Sequence, residues 1–177
     1  MDACAEATII SSSFEGEDLI MAALKLRVNG TDREIDADPA MPLIFALRNH
    51  FGLVGAKLGC GLEQCGACAV IVDGEPVLSC VRAVSEFEDT NIVTIEGLSE
   101  DGKLTDIQQA FIKEGAAQCG YCTAGIVMAV TALLETNKRP SKTDISDALK
   151  DHLCRCGSHA RVLAAIGHVI GEDARNG

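Results

Sequence analysis

Gly59-Cys60-Gly61-Leu62-Glu63-Gln64-Cys65-Gly66-Ala67-Cys68 sets three cysteines in one glycine-rich stretch with the spacing C-x4-C-x2-C, and Cys80 follows as a distant fourth. Working outward, Cys119 and Cys122 form a C-x2-C, and about thirty residues later Cys154 and Cys156 form a C-x-C. Eight of the nine cysteines therefore fall into two groups of four, and only Cys4 is left over. A disulfide framework does not suit this pattern. The count is odd, a C-x-C disulfide is badly strained, and a chain of 177 residues with 47% hydrophobic content buries a core without cross-links. Thiolate ligation of metal in a reducing compartment does suit it.

Zinc and a [2Fe–2S] cluster both accept four thiolates. For the first group the spacing is the plant-type ferredoxin pattern. Zinc sites pair a short C-x2–4-C with a second knuckle, whereas Cys60, Cys65 and Cys68 share one nine-residue loop. Gly59, Gly61 and Gly66 suit a loop curling around a cluster with its amide N–H groups close to sulphur. The second group is less decisive. Cys119 and Cys122 are spaced one helical turn apart, and Cys154 and Cys156 are expected in extended backbone, so each pair faces one side. That arrangement serves zinc or iron–sulphur, and on spacing alone zinc is favoured.

The net charge of −11 leaves no basic footprint for nucleic acid, and with no Trp and one Tyr there is no aromatic platform for bases. An acidic surface either steers a basic redox partner or simply keeps the chain soluble. No apolar run reaches the roughly 18 residues of a membrane span. Residues 1–20 lack Lys and Arg, so they match neither a twin-arginine nor an ordinary secretory signal. They are expected to be a flexible extension, with Met21 an alternative start. The expected location is the cytoplasm, or the periplasm if the folded complex is exported on a partner's signal.

The periodicity divides the rest. Residues 21–97 alternate with period two: Leu24, Leu26 and Val28 against Lys25 and Arg27, then an Asn29-Gly30 turn signal and a return through Glu34-Ile35-Asp36. Pro42 opens a short helix to about Asn49. A second hairpin joins strands Ala69–Val72 and Val77–Val81 through Asp73-Gly74, with Cys80 on its return strand, and Asn91–Ile95 supplies a further strand. From 98 to 171 the period is helical. Thr105-Asp106-Ile107-Gln108 is a capping-box signature, followed by helices at Ala124–Thr136, Thr143–Asp151 and Ala160–Ile170, with a short tail at 172–177. The expected fold is α+β: a β-grasp, ferredoxin-like domain followed by four short helices.

The words around the cysteines carry more than their spacing. Together with the 59–68 stretch, Gln118-Cys119-Gly120-Tyr121-Cys122-Thr123-Ala124-Gly125 and Leu153-Cys154-Arg155-Cys156-Gly157 resemble the small iron–sulphur subunit of the xanthine oxidase family of molybdenum hydroxylases. The resemblance runs from about Leu24 to Ile170. It implies a plant-ferredoxin domain and a four-helix-bundle domain, each with one [2Fe–2S] cluster. By resemblance, Cys60, Cys65, Cys68 and Cys80 hold the outer cluster. Cys119, Cys122, Cys154 and Cys156 hold the inner one, nearest a molybdenum cofactor carried by a large partner subunit. Gln118 then contacts the pterin of that cofactor, while Arg155 either supports the cluster or is a surface arginine. Many relatives read C-T-P-G at 122–125 and G-N-x-C-R-C-T-G-Y at 151–159, where this chain has Cys122-Thr123-Ala124-Gly125 and Asp151-His152-Leu153-Cys154-Arg155-Cys156-Gly157-Ser158-His159. The Gly157-Ser158-His159 form is similar to bacterial members acting on N-heterocycles and aldehydes, among them nicotinate dehydrogenase and isoquinoline oxidoreductase. His152 and His159 are expected beside the site or on the surface, since four thiolates already fill it.

The resulting expectation is an electron-transfer subunit, not catalytic alone, that relays electrons from molybdenum through two [2Fe–2S] clusters to a flavin (FAD) subunit or a cytochrome c. The substrate is expected to be an N-heteroaromatic such as nicotinate. The rivals are a small subunit of an aldehyde oxidoreductase, a free-standing two-cluster ferredoxin and a zinc-stabilised interaction module.

Overall fold

Strand β1 (Ala22–Val28) buries Leu24, Leu26 and Val28 and exposes Lys25 and Arg27, as its alternation requires. The structure is a computed structural model and describes residues 21–99 and 101–171. The expectations for residues 1–20, Cys4 among them, and for the tail at 172–177 lie outside the described residues. Asn29 and Gly30 both take positive φ, 52° and 73°, so the type I′ turn forms and β2 (Thr31–Ala37) returns antiparallel.

Helix α1 (Leu43–Phe45) starts after Pro42 and widens into a π turn over Ala46–His50, closed by the Phe51 N–H on the Ala46 carbonyl at 3.1 Å. Leu43, Ala46 and Leu47 are buried against β1 and β2. In the second hairpin, β3 (Ala69–Val72) pairs with β4 (Glu75–Leu78) across Asp73 and Gly74, again both at positive φ. The expectation that the return strand runs to Val81 and carries Cys80 is corrected: the ladder ends at Leu78. Ser79 leaves it because its carbonyl is taken by the Ile44 N–H at 3.0 Å. Pro76 is tolerated because β4 is an edge strand.

Strand β5 (Asn91–Val93) runs parallel to β1 and antiparallel to β3, giving the order β2-β1-β5-β3-β4. It stops two residues before the expected Ile95. The Asn29 side chain captures Thr94 from both sides, accepting its N–H at 2.8 Å and donating to its hydroxyl at 3.0 Å. An unforeseen 3₁₀ turn, Val84–Phe87, adds Val84 and Phe87 to the sheet's core.

The Thr105 box closes as expected. Its hydroxyl accepts the Gln108 N–H, Gln108 Oε1 accepts the Thr105 N–H at 2.9 Å, and α2 (Asp106–Glu114) follows, ended by Gly115 at φ 57°. Helix α3 (Thr123–Thr136) is apolar nearly all round because it is covered on two sides. A second box, Ser141 with Asp144, starts α4 (Lys142–Leu149). Helix α5 (His159–Ile170) ends at Gly171. On one side of α3, Ile126, Val127 and Val130 pack with Phe111, Val162 and Ile166, while Met128 and Ala132 pack on Ala69 and Ile71 of β3. Sheet and helices therefore share α3. Among the described residues no helix is long and apolar enough to cross a membrane.

Candidate metal centres

The 59–68 loop wraps its sulphurs in amides. The Leu62 and Gln64 N–H groups each donate to Cys60 Sγ at 3.3 Å, and the Cys60 N–H donates to Cys65 Sγ at 3.3 Å. Gly61 and Gly66 take positive φ, as the curl requires, but Gly59 does not. A side-chain carbon at Gly59 would lie 2.6 Å from Cys65 Sγ, so this glycine supplies space. The Gln64 N–H, working against burial and helped by Leu62, brings the exposed Cys60 thiol down to about 7. Cys68 is buried, and burial, then Cys80 beside it, pushes its thiol up to about 12. Ser79 joins this second pair. Fully buried, it donates its hydroxyl to the Cys68 carbonyl at 2.7 Å, so the residue before Cys80 is anchored to Cys68 itself.

At the second centre the local geometry differs from the expectation, though the pairing does not. Cys119 is not on a helix: Gly120 at φ 82° turns the chain, and α3 begins only after Cys122. Nor are Cys154 and Cys156 in a strand, since the Gly157 N–H reaches the Cys154 carbonyl at 3.3 Å and closes a turn. The four thiols nevertheless meet, Cys119 against Cys156 and Cys122 against Cys154. Two helix N-termini face them. Cys122 stands at the N-terminal end of α3 without capping it, and the Ser158 N–H, at the start of α5, donates to Cys154 Sγ at 3.4 Å. Such ends favour negative charge, but for Cys122 burial wins and, with Cys154 alongside, lifts its thiol to about 12. Burial also raises Cys154. The Ser158 N–H, Cys122 and the Ser158 hydroxyl outweigh it, so its thiol ends below the usual value.

Gln118 Nε2 donates to the Cys156 carbonyl at 3.1 Å and so ties the two cysteine segments together at the exposed rim. Arg155 is exposed and makes no hydrogen bond or ion pair among the described residues. His159 is exposed too. His152 is not: it is half-buried, with Nδ1 packed against Gly66, and burial holds its imidazole below the usual range despite Asp151.

The spacing gave no hint that the two loops touch. The Leu153 N–H donates to the Cys65 carbonyl at 3.1 Å, and the hydroxyl of Tyr121, between Cys119 and Cys122, donates to the Leu58 carbonyl at 2.7 Å. Gly125 of α3 meets Gly66 so closely that a carbon on Gly125 would lie 2.0 Å from the Gly66 carbonyl oxygen.

The thiols lie two by two: Cys60 with Cys65, Cys68 with Cys80, Cys119 with Cys156, Cys122 with Cys154. Zinc gathers all four donors about one centre, whereas a two-iron group takes two thiolates at each end, so the donor set fits [2Fe–2S] in both places. The comparisons agree. Residues 26–92 match the 2Fe-2S iron-sulfur cluster binding domain and residues 94–167 the [2Fe-2S] binding domain. A nicotinate dehydrogenase subunit from Pseudomonas putida is 45% identical over 83% of this chain and 94% of its own length. The chain belongs to the small iron–sulphur subunits of the molybdenum hydroxylases.

The small FeS subunit of nicotinate dehydrogenase from Eubacterium barkeri is 40% identical over the same shares of the two chains. Among solved structures, quinoline 2-oxidoreductase from Pseudomonas putida 86 superposes with a TM-score of 0.81 at 35% identity, covering 89% of this chain and 98% of that one. The subunit thus carries two [2Fe–2S] clusters and serves an oxidoreductase whose molybdenum cofactor resides in a large partner. Zinc, which spacing alone favoured at the second centre, gives way there to iron–sulphur.

Proposed function

We propose that Cys60, Cys65, Cys68 and Cys80 ligate the outer cluster and Cys119, Cys122, Cys154 and Cys156 the inner one, in a hydroxylase acting on an N-heteroaromatic such as nicotinate. Each cluster supplies a one-electron redox centre. The remaining work is done by this chain's residues. The N-termini of α3 and α5 favour the negative charge of the inner centre, and three amides do so at the outer loop. Gln118, at the rim beside exposed Cys119, faces the large partner, where it contacts the pterin. Exposed Cys60 and Leu62, the latter 66% accessible, mark the exit toward a cytochrome c or a flavin subunit.

The observation that supports this reading is the direct junction of the two loops, the Leu153 N–H on the Cys65 carbonyl and the Tyr121 hydroxyl on the Leu58 carbonyl, which suits electron passage from one centre to the next. Likeness to subunits of nicotinate dehydrogenase and of nicotine 6-hydroxylase supports the substrate class. Cytoplasmic location belongs to the same proposal. Affinity purification on this chain is expected to bring down a molybdenum-containing large subunit in the cytoplasmic fraction, and the complex is expected to bleach its iron–sulphur absorbance on adding nicotinate. A small subunit that purifies by itself contradicts the proposal, and bleaching by an aldehyde but not by nicotinate favours the aldehyde reading.

A further inference from the structure

Three helices of the second half start at a serine or threonine, and only two of these residues cap in the usual way. Thr105 and Ser141 each accept the amide three residues on. Ser158 does not cap α5: its backbone (φ −73°, ψ 5°) lies outside the extended region of an ordinary cap, and its hydroxyl makes no bond to the helix. The residue is 4% exposed, and its Oγ has no hydrogen-bond partner. A buried hydroxyl left unpaired keeps its full desolvation cost, so a neighbouring acceptor is expected to take it. What lies beside it is Cys154 Sγ, already bonded to the same residue's N–H at 3.4 Å. The Ser158 hydroxyl lies close enough to that sulphur to help hold the thiol down, but falls short of hydrogen-bond geometry.

We propose that Ser158 is a potential-setting residue of the inner cluster, its hydroxyl donating to the Cys154 thiolate alongside its own amide. This rests on the reading of Cys154 as a ligand. A donor aimed at a ligand sulphur stabilises the reduced, more negative state and raises the reduction potential. A glycine here, as in the C-R-C-T-G-Y form, keeps the amide and lacks the hydroxyl, so Ser158 tunes the centre without being needed to build it.

The test is an EPR-monitored redox titration of the holoprotein and its Ser158→Ala and Ser158→Thr variants. In Ser158→Ala one of the two midpoints is expected to fall while the other stays. Ser158→Thr is expected to hold both at the parent values. Should the alanine variant lose iron, Ser158→Gly replaces it with the same expectation. Two clusters with midpoints unmoved by removing the hydroxyl overturn the role of Ser158 while leaving the ligand reading intact. A parent chain holding one [2Fe–2S] cluster overturns both.

Discussion

The two centres are built by opposite means. At the outer one, three of four thiols lie in a single loop, and Ser79 brings the fourth to it across a hairpin. At the inner one, two pairs about thirty residues apart in sequence meet only because α3 and α5 pack on a common core. A locally written site depends on its loop, whereas an assembled site depends on the tertiary structure that carries it. The two should therefore fail differently.

The sharpest break is Ile166→Asp, which puts an unpaired carboxylate in the middle of the helical core, where Ile166 is fully buried. An uncompensated buried charge costs about 3–5 kcal/mol. The inner cluster is expected to be lost and the outer kept, with iron falling from about four to about two per chain, at two irons per [2Fe–2S] cluster. Loss of both together would mean that α3 couples them into one cooperative unit. Gly125→Ala probes that coupling directly, because the added carbon would stand 2.0 Å from a backbone oxygen of the outer loop. Overpacking of this kind costs about 1–3 kcal/mol, and both EPR signals are expected to change, whereas a change confined to one would deny the junction.

A smaller contrast lies within each centre. In the apo chain Cys60, at about 7, is expected to react with iodoacetamide at neutral pH, while Cys68 and Cys122, at about 12, stay protected. Ligation requires thiolates, so the protons still held by Cys68 and Cys122 leave on binding, and affinity for the cluster rises with pH throughout the range below about 12. Anaerobic reconstitution at several pH values checks the sign, which a flat or falling profile would contradict. The least effect is expected from Thr105→Ala, which removes one cap at a cost of ~1 kcal/mol. It should lower Tm by a few degrees and leave the iron content unchanged.

The α+β order, both hairpin turns and the Thr105 cap could be read from the sequence because they are local: Asn29-Gly30 needs two positive φ angles, and Thr105 with Gln108 closes on itself. Strand ends could not, since they are set by distant claims on the backbone, Asn29 on Thr94 and Ile44 on Ser79. The eight cysteines were legible as two groups, but the conformation of Cys119 and Cys154 was not. A turn through Gly120 or Gly157 brings sulphurs together as well as a helix or strand does. The junction of the loops escaped reading because it uses carbonyls and glycines, whose roles appear only when two segments meet.

EPR of the dithionite-reduced chain, with iron, sulphide and zinc counted on the same sample, tests the two-centre reading most directly. Two distinct [2Fe–2S] signals with about four irons per chain are expected from eight thiolates in four pairs. A single ferredoxin-like signal, with zinc making up the remaining metal, would mean that the helical half holds a structural ion and is no part of an electron path.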